Sequence, residues 1–194
     1  SGWFAQTART RIGSPYVIEA MQAALDQGQQ GVCGYEANGG FLLMSPLHVD
    51  GRELASLPTR DAVLPMLAVL ARARTLGCTV SALLGALPAR FTCSDRIQNF
   101  PTVLSQARLA SMQTGSSAEQ RQAFENVFGV VSGTVRHLDA TDGLRATFAN
   151  EEVIHLRPSG NAPELRCYTE ALSAQRAAQI NVAALGVLAT WQDA

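Results

Sequence analysis

Apolar residues at Val17, Ile18, Met21, Ala24 and Leu25 recur at i, i+1, i+4, i+7 and i+8, one face of a helix. Ser14-Pro15 is a strong start signal for it, with the hydroxyl as N-cap and proline at the first helical position. Gly28 can close it in a left-handed conformation. A short strand is expected at residues 32–34, then a loop, then a second apolar run at 41–44. Residues 45–58 read as a loop, with Pro46, Asp50-Gly51 and Pro58 as turn formers. Thr59 can cap a helix from 60 to about 75, in which Pro65 should cause a kink or mark a late start. Thr79 or Ser81 can cap a short helix ending at Pro88. This half of the chain predicts an α/β layer.

The pattern changes further on. Residues 89–101 carry few core signals and read as a linker. Helices are expected at 101–112 and 117–128, the second opened by the capping box Ser116-x-x-Glu119. Strand-length runs follow at 130–137, 144–149, 153–156 and 165–169, with Asp142-Gly143 as a two-residue hairpin turn. A last helix, 171–191, carries Ala174, Ala178, Val182, Leu185 and Leu188 as its apolar stripe. Four strands packed by helices predict a compact α+β unit.

Composition narrows the chemistry. The 194 residues allow one large domain or two small ones. A net charge of −1 gives no basic footprint for nucleic acid. All 15 cationic residues are arginines, so the chain can build neither a Walker P-loop nor a Schiff-base site. The longest apolar run, residues 62–71, is far short of the ~20 that a membrane span needs. Cys33, Cys78, Cys93 and Cys167 have no regular spacing and suggest reduced thiols in the cytoplasm. His48, His137 and His155 fall in no zinc-ligand spacing. No signal-peptide pattern is evident, and the opening SGWFAQTARTR reads as the middle of a longer polypeptide.

Two loops could carry chemistry. Gly34-Tyr35-Glu36-Ala37-Asn38-Gly39-Gly40 has three glycines in seven residues, around a carboxylate and an amide two residues apart. In extended chain Glu36 and Asn38 would face one side and could hold neighbouring sugar hydroxyls. An ordinary glycine-rich hairpin loop with polar residues in water fits the same pattern. Arg157-Pro158-Ser159-Gly160-Asn161-Ala162-Pro163 joins a guanidinium fork, a hydroxyl and a glycine-centred backbone suited to an oxyanion. An ordinary turn beside an exposed arginine is the alternative.

Together and in this order, the motifs resemble the C-terminal half of the α-D-phosphohexomutases, the phosphomannomutase/phosphoglucomutase family. GYEANGG resembles the family's sugar-binding loop, and RPSGNAP with ELRCYTEA resembles its phosphate-binding loop and next strand. TDGLRATF is similar to the family's Asp-Gly hairpin, and TRIGSPYVIEAM to the third-domain segment facing the substrate. Asn38 stands where the family commonly has serine, and Asn161-Ala162 where it has Thr-Glu.

The resemblance implies an α/β third-domain segment over residues 1–88, incomplete at its start, and a linker or hinge at 89–100. It implies an α+β C-terminal domain over 101–194, with a four-stranded, mainly antiparallel sheet packed by helices. Arg157, Ser159, Gly160 and Asn161 would bind phosphate. Glu36 and Asn38 would bind sugar hydroxyls, with Gly13 and Ser14 at the pocket edge. The implied activity interconverts hexose 1- and 6-phosphates through a phosphoserine and a hexose 1,6-bisphosphate, with Mg²⁺. Neither the family's Ser-His-Asn-Pro catalytic pattern nor its Asp-x-Asp-x-Asp-Arg magnesium loop occurs in the sequence, so the fragment alone is expected to be inactive. Its partners would be the missing N-terminal domains of the same chain and a hexose phosphate, with no nucleic acid or membrane. Phosphoglucomutase, phosphoglucosamine mutase and a non-catalytic sugar-phosphate-binding module are the alternatives.

Overall fold

The computed structural model describes residues 4–36 and 39–192. The chain divides into two compact units, Ser1–Pro88 and Ala89–Ala194.

In the first unit, α1 (Ser14–Asp26) is followed by β1 (Cys33–Tyr35), β2 (Phe41–Leu43), β3 (Leu47–Val49), β4 (Arg52–Leu54) and β5 (Leu57–Asp61). Helices α2 (Val63–Leu76) and α3 (Val80–Gly85) complete it. Strands β1, β2 and β5 form an antiparallel sheet in the order β1-β2-β5. The helix α1 covers this sheet through Val17 and Met21, which pack with Leu42. The stretch read as a loop contains the hairpin β3–β4. Asp50 and Gly51 both have positive φ there, as a tight two-residue turn requires. Thr59 lies inside β5 and does not cap α2. Asp61 does so instead, its carboxylate accepting from the N–H of Val63 at 2.7 Å and of Leu64 at 3.3 Å. Pro65 therefore falls in the first turn, where its missing N–H costs nothing. Of the two candidate caps for α3, Thr79 is the one used, its hydroxyl accepting from the Ala82 N–H.

The second unit runs β6 (Phe91–Gln98), α4 (Thr102–Ser111), α5 (Ser117–Ser132), β7 (Val135–Asp139), β8 (Leu144–Phe148), β9 (Val153–Pro158), β10 (Glu164–Ala171) and α6 (Ala174–Ala189). Its antiparallel sheet has five strands rather than four, in the order β6-β10-β9-β8-β7. The additional strand is β6, so most of the stretch read as a linker or hinge is an edge strand in register with β10 from Phe91↔Ala171 to Gln98↔Glu164. The capping box forms, with Ser116 N–H donating to Glu119 Oε2 at 2.7 Å. Valines 130 and 131 continue α5 instead of opening a strand, because the helix packs Phe124, Phe128 and Val131 on one side. The β7–β8 turn uses residues 140–143, two more than the Asp-Gly reading allowed.

Alternation along β10 sends Leu165, Cys167, Thr169 and Ala171 inward and leaves Glu164, Arg166, Tyr168 and Glu170 half-buried on the other face. Phe124 and Phe128, with ring centroids 4.7 Å apart, fill the core with Phe148, Leu156, Ile180 and Leu188. The buried stripe of α6 is Ala177, Ile180, Asn181, Ala184 and Leu188, whereas Ala174, Ala178 and Val182 are exposed. Asn181 is part of that stripe because its Nδ2 donates to the Cys167 carbonyl at 3.1 Å, which satisfies the buried amide. Arg176 grips Glu152 through Nε to Oε1 at 2.6 Å and a terminal nitrogen to Oε2 at 2.8 Å, a bidentate tie between α6 and the β8–β9 turn.

Candidate functional site

The first loop owes its position to a missing side chain. A Cβ on Gly34 would collide with Val17 Cγ1 and lie 2.9 Å from Met21 Sδ, so only glycine lets α1 rest directly on β1. That contact brings the start of α1 against the end of β1. Gly13, not Ser14, occupies the N-cap, with φ 135° and its carbonyl accepting from Tyr16 and Val17. Ser14 is the first helical residue, and its hydroxyl donates to Glu36 Oε2 at 3.0 Å rather than capping the helix. Arg60 of β5 places its Nε 3.3 Å from the same oxygen. The Glu36 side chain is 9% exposed, and its backbone pairs across the loop with Gly40 at 2.8 Å and Gly39 at 3.0 Å. Glu36, Ser14 and Gly13 therefore come together. Asn38 lies outside the described residues.

The second loop joins β9, the central strand of the five-stranded sheet, to its neighbour β10. Ser159 is buried, its N–H donating to the Glu164 carbonyl at 2.8 Å. Glu164 N–H in turn donates to the Ala162 carbonyl at 2.8 Å, and Phe100 N–H to the Pro163 carbonyl at 2.8 Å. The Ser159 hydroxyl accepts weakly from Asn161 N–H at 3.4 Å. These bonds fix both stems and leave Gly160 and Asn161 exposed at the tip.

Arg157, beside this loop on β9, is only 15% exposed, and its Nε is buried without a hydrogen-bond partner. Asp142 Oδ2 is 3.7 Å away, close enough for charge attraction but too long for a hydrogen bond. Arg157 faces Arg166 directly across β10, and Arg166 faces Arg96 across β6. Like charges in cross-strand register repel. Glu164 partly offsets this, 3.3 Å from Arg96 Nε and 3.6 Å from Arg166 Nη2. An open groove of about 860 Å³ runs past Arg96, Arg166 and Tyr168, and its wall does not include Arg157 or Ser159. The His155 ring lies over Tyr168 with centroids 5.5 Å apart, and its Nε2 is 2.6 Å from the Asp142 carbonyl oxygen. Burial pushes the His155 ring below its ordinary pKa, as do the charges of Arg145 and Arg157, against the opposing pull of Asp142.

Three of these side chains are not legible in one sequence. Arg60 reads as a helix start but lies in β5, and Arg166 gains meaning only from strand register. Asp142 was visible as a turn residue, but its approach to Arg157 depends on the pairing of β8 with β9. Among the described residues, no group of three or more His, Cys, Asp or Glu is placed to hold a metal ion.

The family model for the phosphoglucomutase/phosphomannomutase alpha/beta/alpha domain III matches residues 4–91, and that for the C-terminal domain matches residues 107–186. A phosphomannomutase from Salmonella muenchen is 43% identical over 178 residues, covering 92% of this chain and 36% of that protein. One from Sinorhizobium fredii (strain NBRC 101917 / NGR234) is 43% identical over 183 residues, covering 94% of this chain and 37% of its own length. The chain belongs to the phosphoglucomutase/phosphomannomutase family and corresponds to its third and C-terminal domains. It spans little more than a third of the length of these relatives.

Proposed function

We propose that this chain is the sugar- and phosphate-binding half of a phosphomannomutase-type phosphohexomutase. The observation that carries the reading is Arg157: a nearly buried guanidinium with an unpartnered Nε, next to the anchored Ser159–Asn161 turn and opposite a second arginine. Such a group is short of hydrogen-bond acceptors, and a phosphate supplies them bidentately.

In the intact protein, Arg157, Ser159, Gly160 and Asn161 hold the phosphate that is not reacting. Glu36 and Asn38 accept and donate hydrogen bonds to ring hydroxyls, with Gly13 and Ser14 at the edge. Glu36 is already oriented by Ser14 and Arg60, so little side-chain freedom is lost on binding. The substrate is a hexose 1- or 6-phosphate, turned over through a hexose 1,6-bisphosphate. The phosphoserine that donates and recovers the phosphoryl group belongs to domains outside this chain, and so does the Mg²⁺ that supports the transfer. No described cluster here fits that ion. What this half supplies is positioning, a large share of the protein's work in phosphoryl transfer. No described helix is long and apolar enough to cross a membrane, and the reading places the enzyme in the cytoplasm.

Calorimetric titration of the chain with mannose 1-phosphate and glucose 1-phosphate, with inorganic phosphate as control, tests the binding role. Saturable binding of a sugar phosphate that Arg157→Ala weakens about 10-fold or more is expected, because a hydrogen bond to a charged group is worth roughly 1.5–3 kcal/mol. Sugar-phosphate binding that is indifferent to Arg157→Ala would remove that residue from the clamp. Mutase assays of the longer protein with each sugar then separate mannose from glucose chemistry.

A further inference from the structure

We propose that the Asp142-Gly143 turn is the aiming device of the phosphate clamp: Asp142 steers the Arg157 guanidinium, and His155 and Gly143 hold the turn where it can do so. The proposal rests on the reading of Arg157 as a phosphate ligand.

Three independent contacts converge on this turn. Asp142 Oδ2 lies 3.7 Å from Arg157 Nε, the nitrogen nearest the side-chain stem. His155, two residues before Arg157 on the same face of β9, has its Nε2 2.6 Å from the Asp142 carbonyl oxygen. That geometry assigns the Nε2 proton to the ring, with the backbone carbonyl as acceptor. Gly143 has φ 77°, and a Cβ there would overlap the Leu156 carbonyl oxygen and lie 3.0 Å from Arg157 Cα. The turn is thus pressed against the backbone that carries the arginine, at a spacing no other residue permits.

Two effects of Asp142 compete. Its negative charge weakens the local field felt by a phosphate. Its attraction for Nε also restrains an arginine side chain rich in rotamers before any ligand arrives. Arg157 needs such restraint more than most arginines, because Arg166 stands directly opposite and repels it. A carboxylate on the far side from β10 balances that push. The restraint therefore outweighs the loss of field.

The test uses the full-length mutase, with steady-state kinetics on a hexose 1-phosphate and competitive inhibition by inorganic phosphate. Asp142→Asn is expected to lower kcat/KM about 10-fold, chiefly through KM, and to weaken phosphate inhibition in parallel, with an unchanged thermal midpoint. In an Arg157→Ala background the same substitution should add less than about twofold, since the group it aims is gone. His155→Phe, which cannot donate to the turn, should share the defect, and His155→Gln, which can, should largely restore activity. Tighter phosphate inhibition in Asp142→Asn, or a loss that adds in full to that of Arg157→Ala, overturns the proposal and leaves the clamp standing. Wild-type kinetics in Arg157→Ala itself would overturn the clamp, and this proposal with it.

Discussion

The two units hold their loops by different means. In Ala89–Ala194, one continuous core runs from Phe100 to Trp191, and the β9–β10 loop is strung between two strands that are paired on both sides. In Ser1–Pro88, the core is a small patch around Val17, Met21 and Leu42, and the β1–β2 loop joins two three-residue strands. Much of α2 finds no cover within the described residues: Val63, Met66, Leu67 and Leu70 are exposed along it. The β9–β10 loop is fixed by backbone bonds between its two stems. The β1–β2 loop is fixed by a helix end and two side chains converging on one carboxylate. Backbone bonds hold the first loop rigidly, whereas the second depends on side chains that can adjust.

The largest effect that would expose this difference is Phe124→Ala. The ring is fully buried against Phe128 and Phe148, and its loss should destabilise the second unit by about 3–5 kcal/mol in urea unfolding. Hydrogen exchange in α1 should hardly change. A uniform loss of protection over both units would show that they fold as one. Next, Gly34→Ala forces α1 off β1 and should cost the first unit about 1–3 kcal/mol, read as faster exchange over residues 14–26. Unchanged protection there would mean that the helix is not seated on that glycine.

Acid should act mainly on the second unit, with a smaller effect. His155 has a folded pKa below its ordinary value near 6.5, so the unfolded chain takes up more protons and stability falls as pH drops below that value. Burial pushes Glu170 up, but hydrogen bonds and charge from Arg145 and Arg90 outweigh it and hold the carboxyl below its ordinary 4.5. Its contribution is present above that pH and is lost as the pH falls through the folded value. Unfolding midpoints measured from pH 7 to pH 3 should decline in these two windows, and a flat profile would contradict both assignments. The smallest effect belongs to Leu67→Ser on α2, within about 0.5 kcal/mol, because the side chain is 57% exposed. A cost above 1 kcal/mol in this chain would mean that the helix has a cover the described residues do not account for.

The sequence was most legible where local chemistry and packing agree. The Ser116–Glu119 box forms, Thr79 of the two candidate caps is used, and the strand read at 165–169 lies within β10. It was least legible where a partner elsewhere in the chain decides. Strand β6 is polar at Ser94, Asp95, Arg96 and Gln98 because it is an edge with one open face, and it looks like a linker until β10 is beside it. Asn181 shifts the stripe of α6 because a polar residue there is satisfied by a carbonyl from another element. Ser14 resembles an N-cap in isolation, yet Glu36, 22 residues on, takes its hydroxyl. Gly13, Ser14 and Glu36 lie in motifs that the sequence displays, but the contacts of Arg60 and Asp142 needed the fold.

The pairing of β6 with β10 also bears on how the second unit comes into being. Arg90 and Glu170, bonded at the base of these strands, stand 80 residues apart in sequence. A chain emerging in order from a ribosome presents β6 first and must leave that strand unpaired until β10 has been made. The closing of so long a loop is slow compared with hairpin or helix formation. The same late step anchors the β9–β10 loop, whose downstream stem is the first residue of β10. Until synthesis passes that strand, the nascent chain has neither a closed sheet nor an anchored loop, so the loop and the fold around it are completed together.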